Sequence, residues 1–430
     1  MRLSCVAAAG LALVGLTMGA ATAVALDTPH TLHRPRATAH LSATHARGHH
    51  ALAHRAVAAG ATHRLPHHAT HSAVAAGTHA TLHRASLHVR RHRYYERFTA
   101  SSFAAPGIFD ADVTAGEDPV VRQAAIDALD GMNGTAVVID PSNGRILAMV
   151  NQKLALSPGA EPCSTIKLSV ALAALSEGLV TSDTMVRLPG FRMNMTQAIA
   201  HSNNLYFEEL GRELGFDRVR HYATMFGLGE LAGYNIAGEQ LGEYPDEPIP
   251  ASEGGVGRMC SFGQGVSMTP LQLGAFVASI ANGGTLYYLQ HPTSQAEVAA
   301  FEPRVKRTLD IARYTPDLEP GMAGAVEYGT ARRLHANFSE LPVFGKTGTC
   351  SDNGTRFGWF VSYSQTPQGN LVTVFFLEGG RPTFGPRAAE LTGAFYKNLW
   401  DRNYFAEKGQ QTTALAPAAV PASPASTSIQ

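Results

Sequence analysis

Residues 135–150 read TAVVIDPSNGRILAMV. Two short, β-rich apolar runs, 135–140 and 145–150, flank Pro141-Ser142-Asn143-Gly144, and such a pattern predicts a β-hairpin. Upstream, Val121, Ala124, Ala125, Ala128 and Leu129 have helical spacing within 120–132. Downstream, a helix-rich stretch runs from 165 to about 232, and an amphipathic helix is expected over 269–282, closed by Gly283-Gly284. The chain then returns to strands at 341–349, 356–364 and 371–378, spaced as a meander, with a last helix at 387–400. Strands at both ends of a domain, with helices between them, predict an α/β (α+β) fold. The expected architecture is an antiparallel sheet flanked by helices, plus a helical lobe, with a ligand cleft between the two.

Outside that domain the polymer changes. The 430 residues carry no net formal charge, but the average hides two unlike parts. Residues 27–93 hold nine Arg, no Lys, one acid and 15 of the 19 His, whereas 94–430 hold 24 basic against 33 acidic side chains. The first part lacks aromatic residues and any helical or strand period, so 27–93 reads as a disordered His/Arg/Ala-rich tether. A solvated spacer is the favoured role, and binding of an anionic surface polymer an alternative. Residues 1–26 open with Arg2 and run uncharged from Leu3 to Leu26. They read as a signal peptide, cleaved after Ala23 or Ala25, or as an N-terminal membrane anchor, which places the domain outside the cytoplasmic membrane. Residues 409–430, rich in Ala, Pro, Ser and Thr, read as a disordered tail. The folded unit is therefore expected over 94–408. Besides Cys5, the cysteines are Cys163, Cys260 and Cys350, which allow at most one bridge and offer no zinc pattern.

Lysine is scarce, at 153, 167, 306, 346, 397 and 408, and only Lys167 has a serine three places before it. Ser164-Thr165-Ile166-Lys167 opens an apolar run just after Pro162. At a helix start, positions i and i+3 share a face. A desolvated, neutral lysine there can take the proton of a serine hydroxyl, which is otherwise a weak nucleophile. The helix N-terminus adds a positive field. Alone the pattern is weak, because serine is also a common N-cap. Lys346-Thr347-Gly348-Thr349 lies in the strand-like run 341–349, where a lysine, two hydroxyls and a glycine can hold a carboxylate at a closely approached strand edge. Between them, Ser202-Asn203-Asn204 falls in a helix expected over 195–214. Ser351-Asp352-Asn353 is a literal Ser-Asp-Asn, but it follows Lys346 in the wrong order on an expected loop, and is rejected in favour of Ser202 and Asn204. Glu161 is a weaker candidate base.

In this order the three elements match the Ser-x-x-Lys, Ser-x-Asn and Lys-Thr-Gly set. The chain resembles the transpeptidase domain of penicillin-binding proteins, within the β-lactamase/transpeptidase-like superfamily, over about 119–400. The resemblance extends to AVVIDPSNGRILAMVN at 136–151, to 202–229 and to SFGQGVSMTPLQLGAFVASIANGG at 261–284. It implies that Ser164 is the acylated nucleophile and Lys167 its base. Ser202 and Asn204 relay protons and position the substrate amide, and Lys346 and Thr347 hold a terminal carboxylate beside Gly348. The N–H groups of Ser164 and Thr349 form the oxyanion hole. The implied substrate is a peptidoglycan stem peptide ending in D-Ala-D-Ala, with β-lactams as inhibitors. No metal, cofactor or nucleic-acid partner is implied.

The family's large members carry a long non-catalytic domain before this one, whereas only about 25 residues separate the tether from Val120. Cys163 stands where the family has a small residue, and Cys350 follows the third motif. The adjacency of those two elements would allow a Cys163–Cys350 bridge, although two separate buried apolar residues is the favoured reading. The alternatives to a transpeptidase are a β-lactamase or D,D-carboxypeptidase of the same fold, or a non-catalytic β-lactam sensor or cell-wall-binding module.

Overall fold

The expected hairpin forms as β1 (Gly134–Asp140) and β2 (Arg145–Val150). Asp140 Oδ1 accepts the Ser142 N–H at 3.0 Å and Asn143 Oδ1 accepts the Arg145 N–H at 2.9 Å, so the turn's own side chains satisfy its backbone. The three later runs form β3 (Val343–Asp352), β4 (Thr355–Thr366) and β5 (Gly369–Gly379). Together they make one antiparallel five-stranded sheet in the order β2-β1-β5-β4-β3. β3 ends three residues later than expected, so Ser351 and Asp352 end a strand rather than lie on a loop. Asn353 and Gly354, at φ 47° and 84°, turn the chain into β4, as a two-residue hairpin loop with both residues left-handed does.

The computed structural model describes residues 98–406 apart from Pro382. The expectations for 1–26, 27–93 and 409–430 lie outside the described residues. Among the described residues no helix is long and apolar enough to cross a membrane.

Both faces of the sheet are covered, which explains why its strands read as continuous apolar runs. On one face Ala136, Val138, Phe360, Phe375 and Leu377 pack with α1 (Pro119–Leu129) and a C-terminal helix, Gly385–Asp401. α1 begins where Asp118 accepts the N–H groups of Val120 and Val121 and ends at left-handed Asp130. On the other face Val137, Ile139, Trp359, Val361, Val374 and Phe376 join the larger core shared with the helical lobe.

That lobe contains α2 (Lys167–Ser176), α3 (Met195–Ala200), α4 (Asn204–Leu214), α5 (Phe216–Met225), α6 (Gly255–Phe262), α7 (Pro270–Ala281) and α8 (Thr315–Glu327). α7 corrects the amphipathic expectation, because Pro270 to Ile280 are all buried. It lies between sheet and lobe, so both of its sides are interior. A Cβ on Gly274 would stand 2.6 Å from Ile139 Cδ1, so this glycine sets how closely α7 approaches β1.

The helix expected over 195–214 is also corrected. It breaks at 201–203 into α3 and α4, each with its own N-cap. Asn194 accepts the Gln197 N–H, and Asn203 accepts the Tyr206 N–H, both at 3.0 Å. Ser202, at φ 55°, makes the corner.

Candidate active site

Three chain segments 35 or more residues apart converge at the junction of lobe and sheet edge. The first is the turn before α2. Cys163–Ile166 is a 3-10 turn that runs directly into α2 at Lys167. With three residues per turn, positions i and i+3 eclipse, which brings Ser164 and Lys167 together more directly than an α-helical start would. Ser164 makes no capping bond.

Lys167 Nζ lies 2.6 Å from Ser164 Oγ, 2.8 Å from Asn204 Oδ1 and 2.7 Å from the Ser261 carbonyl oxygen. The side chain is fully buried, with Nζ 5.7 Å from the Phe207 ring centre and 5.9 Å from that of Phe262. Burial pulls its pKa down from the ordinary lysine range to about 7, with the charge of Glu208 opposing. A neutral amine has two N–H donors and one lone pair. Asn204 Oδ1 and the Ser261 carbonyl can take the two donors, which turns the lone pair toward Ser164.

The second segment is the corner between α3 and α4. Left-handed Ser202 presents its hydroxyl to both lysines, with Oγ 2.8 Å from Lys346 Nζ and 3.4 Å from Lys167 Nζ. A left-handed non-glycine residue costs about 1–3 kcal/mol and marks a site where geometry is imposed. Cys163, at φ 51°, is a second case in the same site.

The third segment is β3, an edge strand that pairs only with β4. Lys346 is fully buried and also donates to the Thr347 carbonyl at 2.8 Å. Burial, then the nearby Lys167 charge, holds its pKa well below the ordinary lysine value. Thr347 Oγ1 donates to Thr330 Oγ1 at 2.7 Å, and exposed Thr349 accepts the Gly385 N–H at 2.9 Å. Gly348 allows the strand to reach the Ser164 turn, since a Cβ there would stand 2.8 Å from the Pro162 carbonyl oxygen. The Trp359 indole fixes the same turn from β4 by donating to the Glu161 carbonyl at 3.0 Å.

Cys163 and Cys350 are joined by a disulfide, with Cα atoms 5.6 Å apart, which corrects the reading of two separate buried residues. The cysteines face each other because the Ser164 turn and β3 are neighbours. Cys260 is free and buried, its thiol pushed up to about 12 by desolvation.

All eight residues singled out in the three motifs therefore lie in one place. Ser351-Asp352-Asn353 occupies the hairpin end of β3, past the lysines. Burial, with the charge of Asp352, raises the pKa of the Glu161 carboxyl. Sequence reasoning missed the Ser261 carbonyl, the two aromatic rings beside Lys167, and Thr330. A main-chain carbonyl has no residue-type signature, and Thr330 enters through a contact with Thr347. Among the described residues no cluster of three or more His, Cys, Asp or Glu is placed to hold a metal ion.

Residues 134–397 match the penicillin binding protein transpeptidase domain. Stage V sporulation protein D of Bacillus subtilis is 29% identical over 263 residues, 51% of this chain and 40% of that protein. Peptidoglycan D,D-transpeptidase MrdA of Escherichia coli is 26% identical over 315 residues, 63% of this chain and 48% of that protein. The chain thus spans about half the length of the curated relatives it matches. Among solved structures, penicillin-binding protein A of M. tuberculosis, an imipenem acyl-enzyme complex, shares the fold. Its TM-score is 0.53 at 23% identity, covering 65% of this chain and 78% of that one. The domain match and the shared fold lead to one assignment: the chain belongs to the penicillin-binding-protein transpeptidase family.

Proposed function

We propose that this chain is a serine D,D-transpeptidase that acts on peptidoglycan stem peptides ending in D-Ala-D-Ala, outside the cytoplasmic membrane, and is acylated by β-lactams. The observation that carries the reading is the 2.6 Å approach of Lys167 Nζ to Ser164 Oγ inside a fully buried lysine environment. A lysine with a pKa of about 7 is substantially neutral at neutral pH and matched to general-base work.

In this reading Ser164 Oγ attacks the carbonyl of the penultimate D-Ala and its proton passes to Lys167 Nζ. The N–H groups of Ser164 and Thr349 hold the developing oxyanion, where one lost donor costs about 2.7–4 kcal/mol of transition-state stabilisation. The C–N bond breaks, the terminal D-Ala leaves as its amine with a proton relayed from Lys167 through Ser202, and an ester to Ser164 remains. An acceptor amine from a neighbouring stem then attacks the ester carbonyl and gives up a proton to Lys167, the C–O bond to Ser164 breaks as the new amide forms, and Lys167 returns the proton to Ser164 Oγ. The hydroxyls of Thr347, turned from Thr330, and of Thr349 receive the substrate carboxylate, with buried Lys346 acting on it through Ser202. Asn204 holds both Lys167 and the substrate amide. The relatives named above as a D,D-transpeptidase and as an imipenem acyl-enzyme support this reading by their names.

The test is labelling of the full chain with a fluorescent penicillin, comparing wild type with Ser164→Ala over time. A label that persists for minutes and is absent from the variant is the expected result. A label lost within seconds would indicate a β-lactamase, and no label on wild type would overturn the reading. Incubation with a stem pentapeptide and an amine acceptor then separates transfer from hydrolysis. Release of D-Ala without a cross-linked product would identify a D,D-carboxypeptidase.

A further inference from the structure

We propose that the Cys163–Cys350 disulfide positions the oxyanion hole, and that acylation and deacylation both depend on it. The inference rests on the reading in which the N–H groups of Ser164 and Thr349 are the oxyanion donors. Cys163 immediately precedes the first donor residue and Cys350 immediately follows the second. The bond therefore ties together the chain at both donors, across 187 residues of sequence.

The other ties across this junction are non-covalent. The Ser164 turn enters α2 of the helical lobe, whereas Thr349 belongs to the edge strand of the sheet, whose ladder continues only on the β4 side. Among the described residues no strand hydrogen bond fixes the distance from β3 to the turn. The non-covalent ties that cross this gap meet the turn on either side of Ser164, at Pro162 and at the Thr165 methyl, and run from Lys346 through Ser202 to Lys167. Trp359 bonds the Glu161 carbonyl, and Gly348 approaches the Pro162 carbonyl.

The N–H of Ser164 lies in the peptide plane that follows Cys163, so the backbone angles of Cys163 aim that donor. Cys163 is held at φ 51°, a conformation that side-chain-bearing residues seldom adopt. A bridge on its side chain opposes relaxation out of it. Donor placement matters at sub-ångström scale for a developing oxyanion. The oxyanion forms on the way into the ester and again on the way out, so a loosened pair of donors slows both steps.

The experiment uses the full oxidised chain, the same chain reduced with dithiothreitol, and the Cys163→Ala/Cys350→Ala double variant. For each, the fluorescent-penicillin reaction is resolved into the non-covalent dissociation constant, the acylation rate constant and the lifetime of the label, with a thermal transition measured in parallel. Cys260 is a free thiol, so among the described residues the bridge is what the reductant addresses. The expected result is an acylation rate constant at least tenfold lower and a label lifetime at least severalfold longer in the reduced and double-variant proteins. The non-covalent constant should change by less than threefold, and reoxidation should restore the rate.

Equal acylation rates in oxidised and reduced protein would overturn the proposal while leaving the acyl-enzyme reading intact. So would a loss of labelling that merely follows the unfolded fraction, or alkylation of both thiols in unreduced native protein. Failure of oxidised wild type to label at all would instead remove the reading beneath it.

Discussion

Lys346 Nζ donates to Ser202 Oγ at 2.8 Å, although 144 residues separate the two in sequence. Lys167 lies 3.4 Å from the same hydroxyl, so among the described residues Ser202 is the side chain that hydrogen-bonds to both buried amines. Such a hydroxyl can accept from one amine while donating to the other. Ser202→Ala should therefore lower the acylation rate constant with penicillin by about 100-fold or more, the range typical of positioned proton transfer, while the protein still folds. Rapid-quench labelling measures this, and a fall below tenfold would remove Ser202 from the relay.

The pH dependence of acylation follows from Lys167. Only its neutral form can accept the Ser164 proton, and burial places its pKa at about 7. The acylation rate constant should rise with pH, reach half its limit near 7, and stay level above it. Lys167→Arg, always protonated, should be inactive at every pH.

The same shift affects stability. Between pH 7 and 10.5 the unfolded chain binds a proton on Lys167 that the folded chain does not, so stability rises with pH across that window. The burial penalty is fully present below 7. Lys167→Met, of similar length and without charge, should be more stable than wild type at pH 6.5, and the gap should narrow as pH approaches 10. Urea midpoints at the two pH values measure the difference.

Thr330 meets the third motif through Thr347 at 2.7 Å, and its N–H donates to the Ala200 carbonyl at 3.1 Å, two residues before Ser202. It thus holds the hydroxyl assigned to the substrate carboxylate. Thr330→Val keeps the shape and removes the bond. Penicillin acylation efficiency should fall about tenfold, the size of one net hydrogen bond, with little change for penicillin methyl ester, which lacks the carboxylate. Equal losses on both probes would make Thr330 merely structural.

Away from the site, Arg122 bridges Asp112 at 2.7 Å and Glu117 at 2.9 Å, with all three side chains largely buried. His291 meets the other oxygen of Glu117 at 2.9 Å. Arg122→Ala leaves two buried carboxylates without their cation and should cost about 3–5 kcal/mol of stability, read from urea unfolding. Labelling of the folded fraction should persist.

Much of this molecule is legible in the sequence where local rules suffice. Residues 135–150 predict β1 and β2 to within one residue, because strand period and turn chemistry agree there. Ser164, Lys167 and Lys346 stand out because lysine is scarce. The break at 201–203 stayed hidden because Ile199, Leu205, Tyr206 and Leu210 keep a helical rhythm across it. The signal that marks it is Asn203, the N-cap of α4. The bridge could not be read off because pairing is a property of the folded chain. The Ser261 carbonyl and Thr330 depend on how α6 and the segment after α8 dock, which no local pattern encodes.

The sheet order has a consequence for how the chain reaches its native state. β1, residues Gly134–Asp140, pairs with β5, so Gly134 sits opposite Leu377. A chain that emerges N-terminus first makes the β1–β2 hairpin early, then must keep one edge of it unpaired until more than 200 further residues have appeared. Such a long loop is slow to close. Until β5 appears, the outer edge of β1 is unpaired and the side of α7 that meets Val374 is uncovered. β5 therefore closes the sheet, and the helix Gly385–Asp401 that follows it completes the core, which ends the interval in which the chain is most prone to self-association.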